Sequence, residues 1–127
     1  MITILLIEDD KFLRELVVKK LSPEGFNILE AIDGESGLAI MREKKPQLLL
    51  LDLILPGTID GFEILRRIQA DKALSAIPVV VLSNLGQQEE IDLALKLGAK
   101  FFLVKAHSTP AEILAKIKEM LNIPFPR

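Results

Sequence analysis

Acidic, hydroxyl and amino side chains directly follow four short apolar runs of this 127-residue sequence. The residues are Glu8 and Asp9, Asp52, Ser83 and Lys105. In combination, such groups suit phosphoryl chemistry, because a carboxylate can attack phosphorus while cations neutralise the phosphoryl oxygens and a hydroxyl donates a hydrogen bond to one of them. That chemistry requires the side chains to meet in one crevice.

The three carboxylates would repel one another in such a crevice. A like-charge pair about 4 Å apart costs roughly 4 kcal/mol at an effective dielectric near 20. Lys105 alone leaves an excess of negative charge, so the set predicts a bound cation. Mg²⁺ fits best, because it binds through one or two carboxylates and keeps waters and phosphate oxygens as its other ligands.

The elements that must position these residues alternate along the whole chain. Strands are predicted over residues 2–7, 26–31, 79–82 and 100–104, with a further strand from residue 48 that carries Asp52 near its end. Helices are predicted over residues 11–21, 35–45, 62–71 and 87–97, with a last helix from Pro110. This alternation predicts a parallel sheet with right-handed crossovers and helices on both faces. Ligands bind such sheets at the carboxyl ends of the strands.

The first helical pattern also predicts which of its side chains are buried. Its apolar residues recur at helical spacing and are expected to face the core. They are Phe12, Leu13, Leu16, Val17 and Leu21. Its charged residues are expected to face away, and these are Arg14, Glu15, Lys19 and Lys20. The second strand is less uniformly apolar than the others, which places it at a sheet edge.

Length and composition set further limits. With half of its 127 residues hydrophobic, the chain is expected to fold as one domain with a sizeable core. It has no cysteine, no apolar run long enough to span a bilayer and no signal-peptide pattern, so we expect a cytoplasmic protein that does not associate with membranes. The net charge of −2 gives no electrostatic reason to expect nucleic-acid binding by this domain.

Four motifs, in this order, resemble the receiver domain of response regulators, the CheY-like phosphoacceptor module of two-component signalling. They are Leu6–Asp10, Leu51–Asp52 with Leu55–Pro56 and Asp60–Gly61, Val81–Ser83, and Phe102–Lys105. The resemblance covers essentially the whole chain, with a receiver domain over residues 1–122 and a short tail over residues 123–127. It implies a single α/β domain with a flavodoxin-like (βα)5 doubly wound parallel sheet in strand order 2-1-3-4-5.

The resemblance implies the roles of the site residues. Asp52 would accept a phosphoryl group from the phosphohistidine of a sensor histidine kinase or a histidine phosphotransfer protein. Glu8, Asp9 and Asp52 would hold Mg²⁺ together with the backbone carbonyl of Ile54. Lys105 would pair with the phosphoryl group. The domain would promote its own phosphorylation and dephosphorylation without being a turnover enzyme on external substrates.

Other positions would carry the signal onward. Ser83 and Phe102 fall at the family's switch positions, where the hydroxyl moves toward the phosphoryl group and the aromatic ring turns inward. The fourth and fifth helices and the strand between them would relay the change to an unknown downstream protein, and the same surface is a candidate homodimer contact. Asp10 is expected to cap the first helix instead of joining the acidic pair.

Ala106 departs from the family pattern, which has proline after the lysine with a cis bond between them. A cis bond without proline costs about 2.5–4 kcal/mol, so the loop is expected to be strained or differently shaped. Two other functions stay open. One is a pseudo-receiver that binds partners without phosphorylation, and the other is a Mg²⁺-dependent phosphohydrolase with an aspartyl nucleophile. Such hydrolases commonly carry a second Asp two residues after the first, where this chain has Ile54.

Overall fold

The computed structural model describes residues 1–123, which form one five-stranded parallel sheet with helices between the strands. The strands are β1 (Thr3–Ile7), β2 (Asn27–Ala31), β3 (Leu48–Leu51), β4 (Val79–Ser83) and β5 (Phe101–Val104). The helices are α1 (Lys11–Leu21), α2 (Gly34–Lys44), α3 (Gly61–Ala70), α4 (Gln88–Lys96) and α5 (Pro110–Met120). The strand order is β2-β1-β3-β4-β5, so the predicted flavodoxin-like fold and the edge position of β2 are confirmed.

Two apolar layers pack on the two faces of this sheet. Because side chains alternate along a strand, Leu49 and Leu51 pack on the face covered by α2, α3 and α4, whereas Leu48 and Leu50 pack on the face covered by α1 and α5. All four leucines are completely buried. A strand covered on both faces explains why this run contains no polar alternation.

Side-chain caps fix where several helices begin. Asp10 accepts hydrogen bonds from the backbone N–H groups of Phe12 and Leu13, at 2.9 and 3.2 Å, which confirms its predicted role at the start of α1. Asp60 caps α3 in the same way. Thr109 and Glu112 form a reciprocal capping box at α5.

The outer surface of α1 differs from the prediction. Phe12 is 70% exposed and Leu16 is 36% exposed, so the prediction that both face the core is wrong. The sheet covers only the narrower stripe that contains Val17 and Leu21. Arg14 was expected to face away, but its side chain is only 16% exposed and turns toward the loop between β1 and α1.

Close backbone packing shapes the loop that follows β3. A Cβ atom on Gly61 would lie 2.5 Å from the carbonyl oxygen of Asp52, and one on Gly34 would lie 2.7 Å from the carbonyl oxygen of Ile59. The starts of α3 and α2 therefore pack directly on this loop. Thr58 also donates a 2.7 Å hydrogen bond to Glu35, which is the largest cause of a lowered pKa of the Glu35 carboxyl. These contacts fix the backbone that leads away from Asp52.

Two further predictions concern membrane association and the C-terminal end. Among residues 1–123, no helix is long and apolar enough to cross a membrane. Ile123 is partly buried and packs against the core, and its N–H donates a 2.8 Å hydrogen bond to the carbonyl of Lys118. The rest of the predicted tail, residues 124–127, lies outside the described residues, so the division at residue 122 stays a prediction.

Candidate functional site

Three carboxylates meet where β1 and β3 end. Glu8 follows β1 and is 1% exposed, Asp52 follows β3 and is 4% exposed, and Asp9 beside Glu8 is exposed. One carboxylate oxygen from each of the three lies within 4.8 Å of the others. The parallel order that makes β1 and β3 neighbours produces this meeting, since it brings their carboxyl ends to one edge.

Lys105 joins this acidic group from the end of β5. Its Nζ lies 2.9 Å from Oδ2 of Asp52 and 2.7 Å from Oε1 of Glu8. Burial alone would lower the pKa of Lys105, but the contacts with Glu8 and Asp52 outweigh burial and raise it. Lys105 is therefore fully charged at neutral pH and bridges two carboxylates that would otherwise repel each other.

The backbone after Lys105 takes the differently shaped form that the sequence left open. A short 3₁₀ turn covers Lys105–His107, and none of the peptide bonds within the described residues is cis. Ser108 closes this turn by donating a 2.9 Å hydrogen bond from its hydroxyl to the carbonyl of Val104. Ala106 thus leaves Lys105 in reach of Asp52.

Glu8 is the most electrostatically perturbed group of the site. Burial is the largest cause that raises its pKa to about 7, and the charge of Asp52 adds to the effect, while Lys105 and the N–H of Asp10 oppose it. Its Oε1 is buried and lies 2.7 Å from Nζ of Lys105, in an ion pair that, within the described residues, leaves part of the acceptor capacity of this oxygen unused. A buried carboxylate oxygen with spare acceptor capacity is what a hard cation would bind.

The acidic group opens into a small cleft suited to such a cation. The cleft has a volume of about 250 Å³, and its lining residues are Glu8, Asp9, Asp10, Asp52, Ile54, Asn84 and Lys105. Three carboxylates face one ammonium, so negative charge remains in excess, and the donor atoms are the hard oxygens that Mg²⁺ prefers. Asp52 is held in place by the N–H of Ile54, which donates a 3.3 Å hydrogen bond to its Oδ1.

Neither Ser83 nor Phe102 lines the cleft, although Ser83 directly precedes the lining residue Asn84. Ser83 is completely buried at the end of β4, and its hydroxyl accepts a 3.4 Å hydrogen bond from the N–H of Leu85. Phe102 is partly buried on β5, opposite Val81 in the strand register. The structure thus brings together the acids, Lys105 and Ile54, and it leaves the two predicted switch residues outside the cleft lining.

Arg14 is a contributor to the site that the sequence analysis missed. It donates hydrogen bonds from Nη1 to the backbone carbonyls of Glu8 and Asp9, at 3.0 and 2.9 Å. Its Nε lies 3.6 Å from a carboxylate oxygen of Glu30, on the edge strand β2. Helical periodicity predicts that an arginine at this position faces solvent. The one available signal was its place in the first turn of the helix that follows the acidic pair.

The fold and the site belong to a known family. Residues 4–118 match the model of the response regulator receiver domain, and the chain is therefore a member of that family. It is 34% identical over 120 residues to the phosphate regulon transcriptional regulatory protein PhoB of Pseudomonas aeruginosa. That match covers 94% of this chain and 52% of PhoB, so the chain spans about half the length of the relative.

Solved structures show the same architecture. The BeF3-activated N-terminal receiver domain of Klebsiella pneumoniae RstA aligns with a TM-score of 0.84 and 28% identity, covering 94% of this chain and 97% of that one. The Mn²⁺-bound form of the response regulator Rcp1 aligns with a TM-score of 0.84 and 26% identity, covering both chains completely. These likenesses identify the chain as a CheY-like receiver domain of two-component signalling.

The charge balance of the site predicts the effect of removing one acid. Glu8→Gln should raise the free energy of unfolding in metal-free buffer at pH 7.5 by up to about 3 kcal/mol, as follows from a pKa raised from 4.5 to about 7. The sign follows because at pH 7.5 Glu8 is mostly ionised in the folded protein and fully ionised in the unfolded one, and a raised folded-state pKa means that the folded protein bears the cost of that ionisation. Urea unfolding measures the difference.

Mg²⁺ should reduce this difference. Saturating Mg²⁺ is expected to stabilise the wild type more than the variant, since the variant lacks one of the carboxylates predicted to hold the ion. Glu15→Gln on the exposed surface of α1 is the matched control. It should change the free energy of unfolding by no more than about 0.5 kcal/mol, either without metal or with saturating Mg²⁺. A Glu8→Gln protein less stable than the wild type without metal would contradict the electrostatic description.

Proposed function

We propose that this domain accepts a phosphoryl group on Asp52 from a phosphohistidine donor, and that Mg²⁺ is required. The observation that carries the proposal is the contact of one ammonium, Lys105, with Asp52 in a cleft that also contains Glu8 and Asp9. A nucleophilic carboxylate, a fixed cation and spare acidic ligands for a divalent ion are the parts that phosphoryl transfer to an aspartate needs.

Each of these residues has a separate role in the proposed phosphoryl transfer. A carboxylate oxygen of Asp52 attacks phosphorus, the bond from phosphorus to the donor imidazole breaks, and the imidazole leaves with the electron pair. Lys105 already lies 2.9 Å from Oδ2 of Asp52, where its charge offsets that of an incoming phosphoryl oxygen. Glu8, Asp9, Asp52 and the backbone carbonyl of Ile54 would hold Mg²⁺, which when bound supplies positive charge to the phosphoryl group.

Ser83 and Phe102 are proposed to convert phosphorylation into a change of shape. Ser83 precedes the cleft residue Asn84, so a small rotation of the chain would bring its hydroxyl toward a phosphoryl group on Asp52. Val81 lies two residues before Ser83 on β4 and is the register partner of Phe102 on β5. The change would thereby reach the surface formed by α4, β5 and α5, which is the proposed contact for a downstream protein or a second copy.

Two other functions, hydrolysis of phosphate esters and nucleic-acid binding, usually depend on residues or charges that this domain does not show. Phosphohydrolases with an aspartyl nucleophile commonly carry a second acid two residues after the first, and Ile54 lines the cleft at that position. We therefore infer that the domain does not turn over external phosphate esters. The net charge of −2 gives no electrostatic reason for this domain to bind nucleic acid directly, which favours signalling through protein contacts.

Phosphorylation of Asp52 can be tested directly. Incubation with acetyl phosphate and Mg²⁺ should add the mass of one phosphoryl group to the intact protein, and omission of Mg²⁺ should abolish the gain. Asp52→Asn should gain no mass, whereas Asp60→Asn, which alters a helix cap outside the cleft, should react like the wild type. A wild-type mass that never changes would favour the pseudo-receiver, and multiple turnover on phosphate esters would favour the hydrolase.

The exposed face of α1 is the proposed docking surface for the phosphohistidine donor. Phe12 is 70% exposed in the first turn after Asp10, a residue that lines the cleft. Leu16 follows one turn later and, with Lys19, Lys20 and Pro110, lines a shallow groove of about 350 Å³. An exposed aromatic residue beside a reactive cleft is typical of an interaction surface. A partner seated there would carry its histidine to Asp52.

Phe12→Ser should separate docking from chemistry. Loss of an aromatic anchor is expected to slow phosphotransfer from a cognate kinase by roughly tenfold or more. Phosphorylation by acetyl phosphate should be unchanged, because that donor needs no docking surface. Leu95→Ser, which removes an exposed apolar side chain from α4, is the matched control and should leave both rates unaltered. Equal loss with both donors would contradict the docking role.

A further inference from the structure

We propose that Arg14 is a positioning residue for the magnesium site. Its guanidinium fixes the backbone of Glu8 and Asp9, and it thereby fixes the directions of the two carboxylates. This inference rests on the proposed Mg²⁺-dependent function and deepens it by assigning a residue that supports the cation ligands from outside the cleft.

The contacts of Arg14 converge on the junction between β1 and α1. Nη1 donates to the carbonyl of Glu8 at 3.0 Å and to the carbonyl of Asp9 at 2.9 Å. These two carbonyls lie after the last residue of β1 and before the first of α1, outside both regular elements. The side chain of Arg14 is 16% exposed, and its hydrogen bond to Glu8 is partly buried while the one to Asp9 is exposed. Such charge-assisted bonds are among the stronger hydrogen bonds of proteins.

A second anchor holds the guanidinium itself. Glu30 on β2 lies 3.6 Å from Nε of Arg14, whereas the two carbonyls accept from Nη1. The adjacent backbone is tied to the same strand, because the N–H of Glu8 donates a 2.9 Å hydrogen bond to the carbonyl of Ala31. The edge strand therefore supports the site although it places no side chain in the cleft.

Asp9 depends on this support more than the other acids do. Glu8 and Asp52 are buried and contact Lys105, and Glu8 also accepts from the N–H of Asp10. Asp9 is exposed, and within residues 1–123 its carboxylate makes no hydrogen bond or ion pair. The backbone position of Asp9 therefore sets which directions its carboxylate can take toward the cleft, and the carbonyl of Asp9 is what Arg14 holds. Groups that orient metal ligands commonly affect metal affinity about 10–100-fold.

Electrostatics and positioning predict opposite results when Arg14 is replaced. If the arginine acted only as a nearby positive charge, its removal would reduce repulsion of Mg²⁺ and tighten binding. If it acts by orientation, its removal should weaken binding. A merely structural role would lower thermal stability and leave the affinity of the folded protein unchanged.

Isothermal titration with Mg²⁺ distinguishes these possibilities. Arg14→Gln is expected to weaken Mg²⁺ binding by about tenfold. Arg14→Lys keeps the charge but has a shorter side chain without a guanidinium, so it should recover part of the affinity. Lys11→Gln removes the same charge from the exposed start of α1 and should leave the affinity within about twofold of the wild type or tighten it.

Backbone amide exchange supplies a second readout without metal. In Arg14→Gln, the amides of Asp9 and Asp10 should exchange faster, whereas amides in the centre of β3 should be unaltered. Unchanged or tighter Mg²⁺ binding by Arg14→Gln would overturn the inference, even if its thermal midpoint fell. Absence of Mg²⁺ binding by the wild type would instead overturn the proposed site, and this inference with it.

Discussion

The ammonium of Lys105, in contact with both Asp52 and Glu8, is the interaction on which the rest of the site depends. Two nearly buried carboxylates could not remain side by side without it, since each is removed from water and repels the other. The compensation is incomplete, as the raised pKa of Glu8 indicates. The site therefore retains an affinity for further positive charge, and both the proposed metal ion and the chemistry follow from that residual imbalance.

The frame around this interaction is built from apolar packing and close backbone contacts. The parallel sheet brings the carboxyl ends of β1, β3 and the edge strand β5 to one edge, and the burial of β1 and β3 helps to fix side chains from distant parts of the chain at distances near 3 Å. Gly61 allows α3 to pack on the peptide that follows Asp52. Arg14 holds the backbone of Glu8 and Asp9. Rigid elements thus hold the reactive groups, while the proposed docking surface lies on the exposed face of α1.

Much of this arrangement could be predicted from sequence, because alternating apolar and helical patterns determine a parallel sheet and polar residues at strand ends then converge. The exposure of the outer face of α1 could not be predicted, because periodicity identifies an apolar stripe but not how much of that stripe the sheet covers. Phe12 and Leu16 lie on the part that the sheet leaves uncovered. The contact between Arg14 and Glu30 could not be predicted either, because it joins a helix to an edge strand through side-chain geometry alone. The loop after Lys105 was ambiguous for a related reason, as Ala106 permits more than one backbone shape.

Paramagnetic broadening by Mn²⁺ tests the central claim most directly, because Mn²⁺ takes the same oxygen ligands as Mg²⁺ and marks its surroundings in an amide spectrum. The account predicts that low Mn²⁺ broadens the amides of residues 8–10, 52–54, 84 and 105, and that excess Mg²⁺ restores them. The amides of Ser75 and Gly98, which line a separate cavity, should stay sharp. Broadening centred on surface acids such as Glu89 and Glu90, or none at all, would contradict a single cation site beside Asp52.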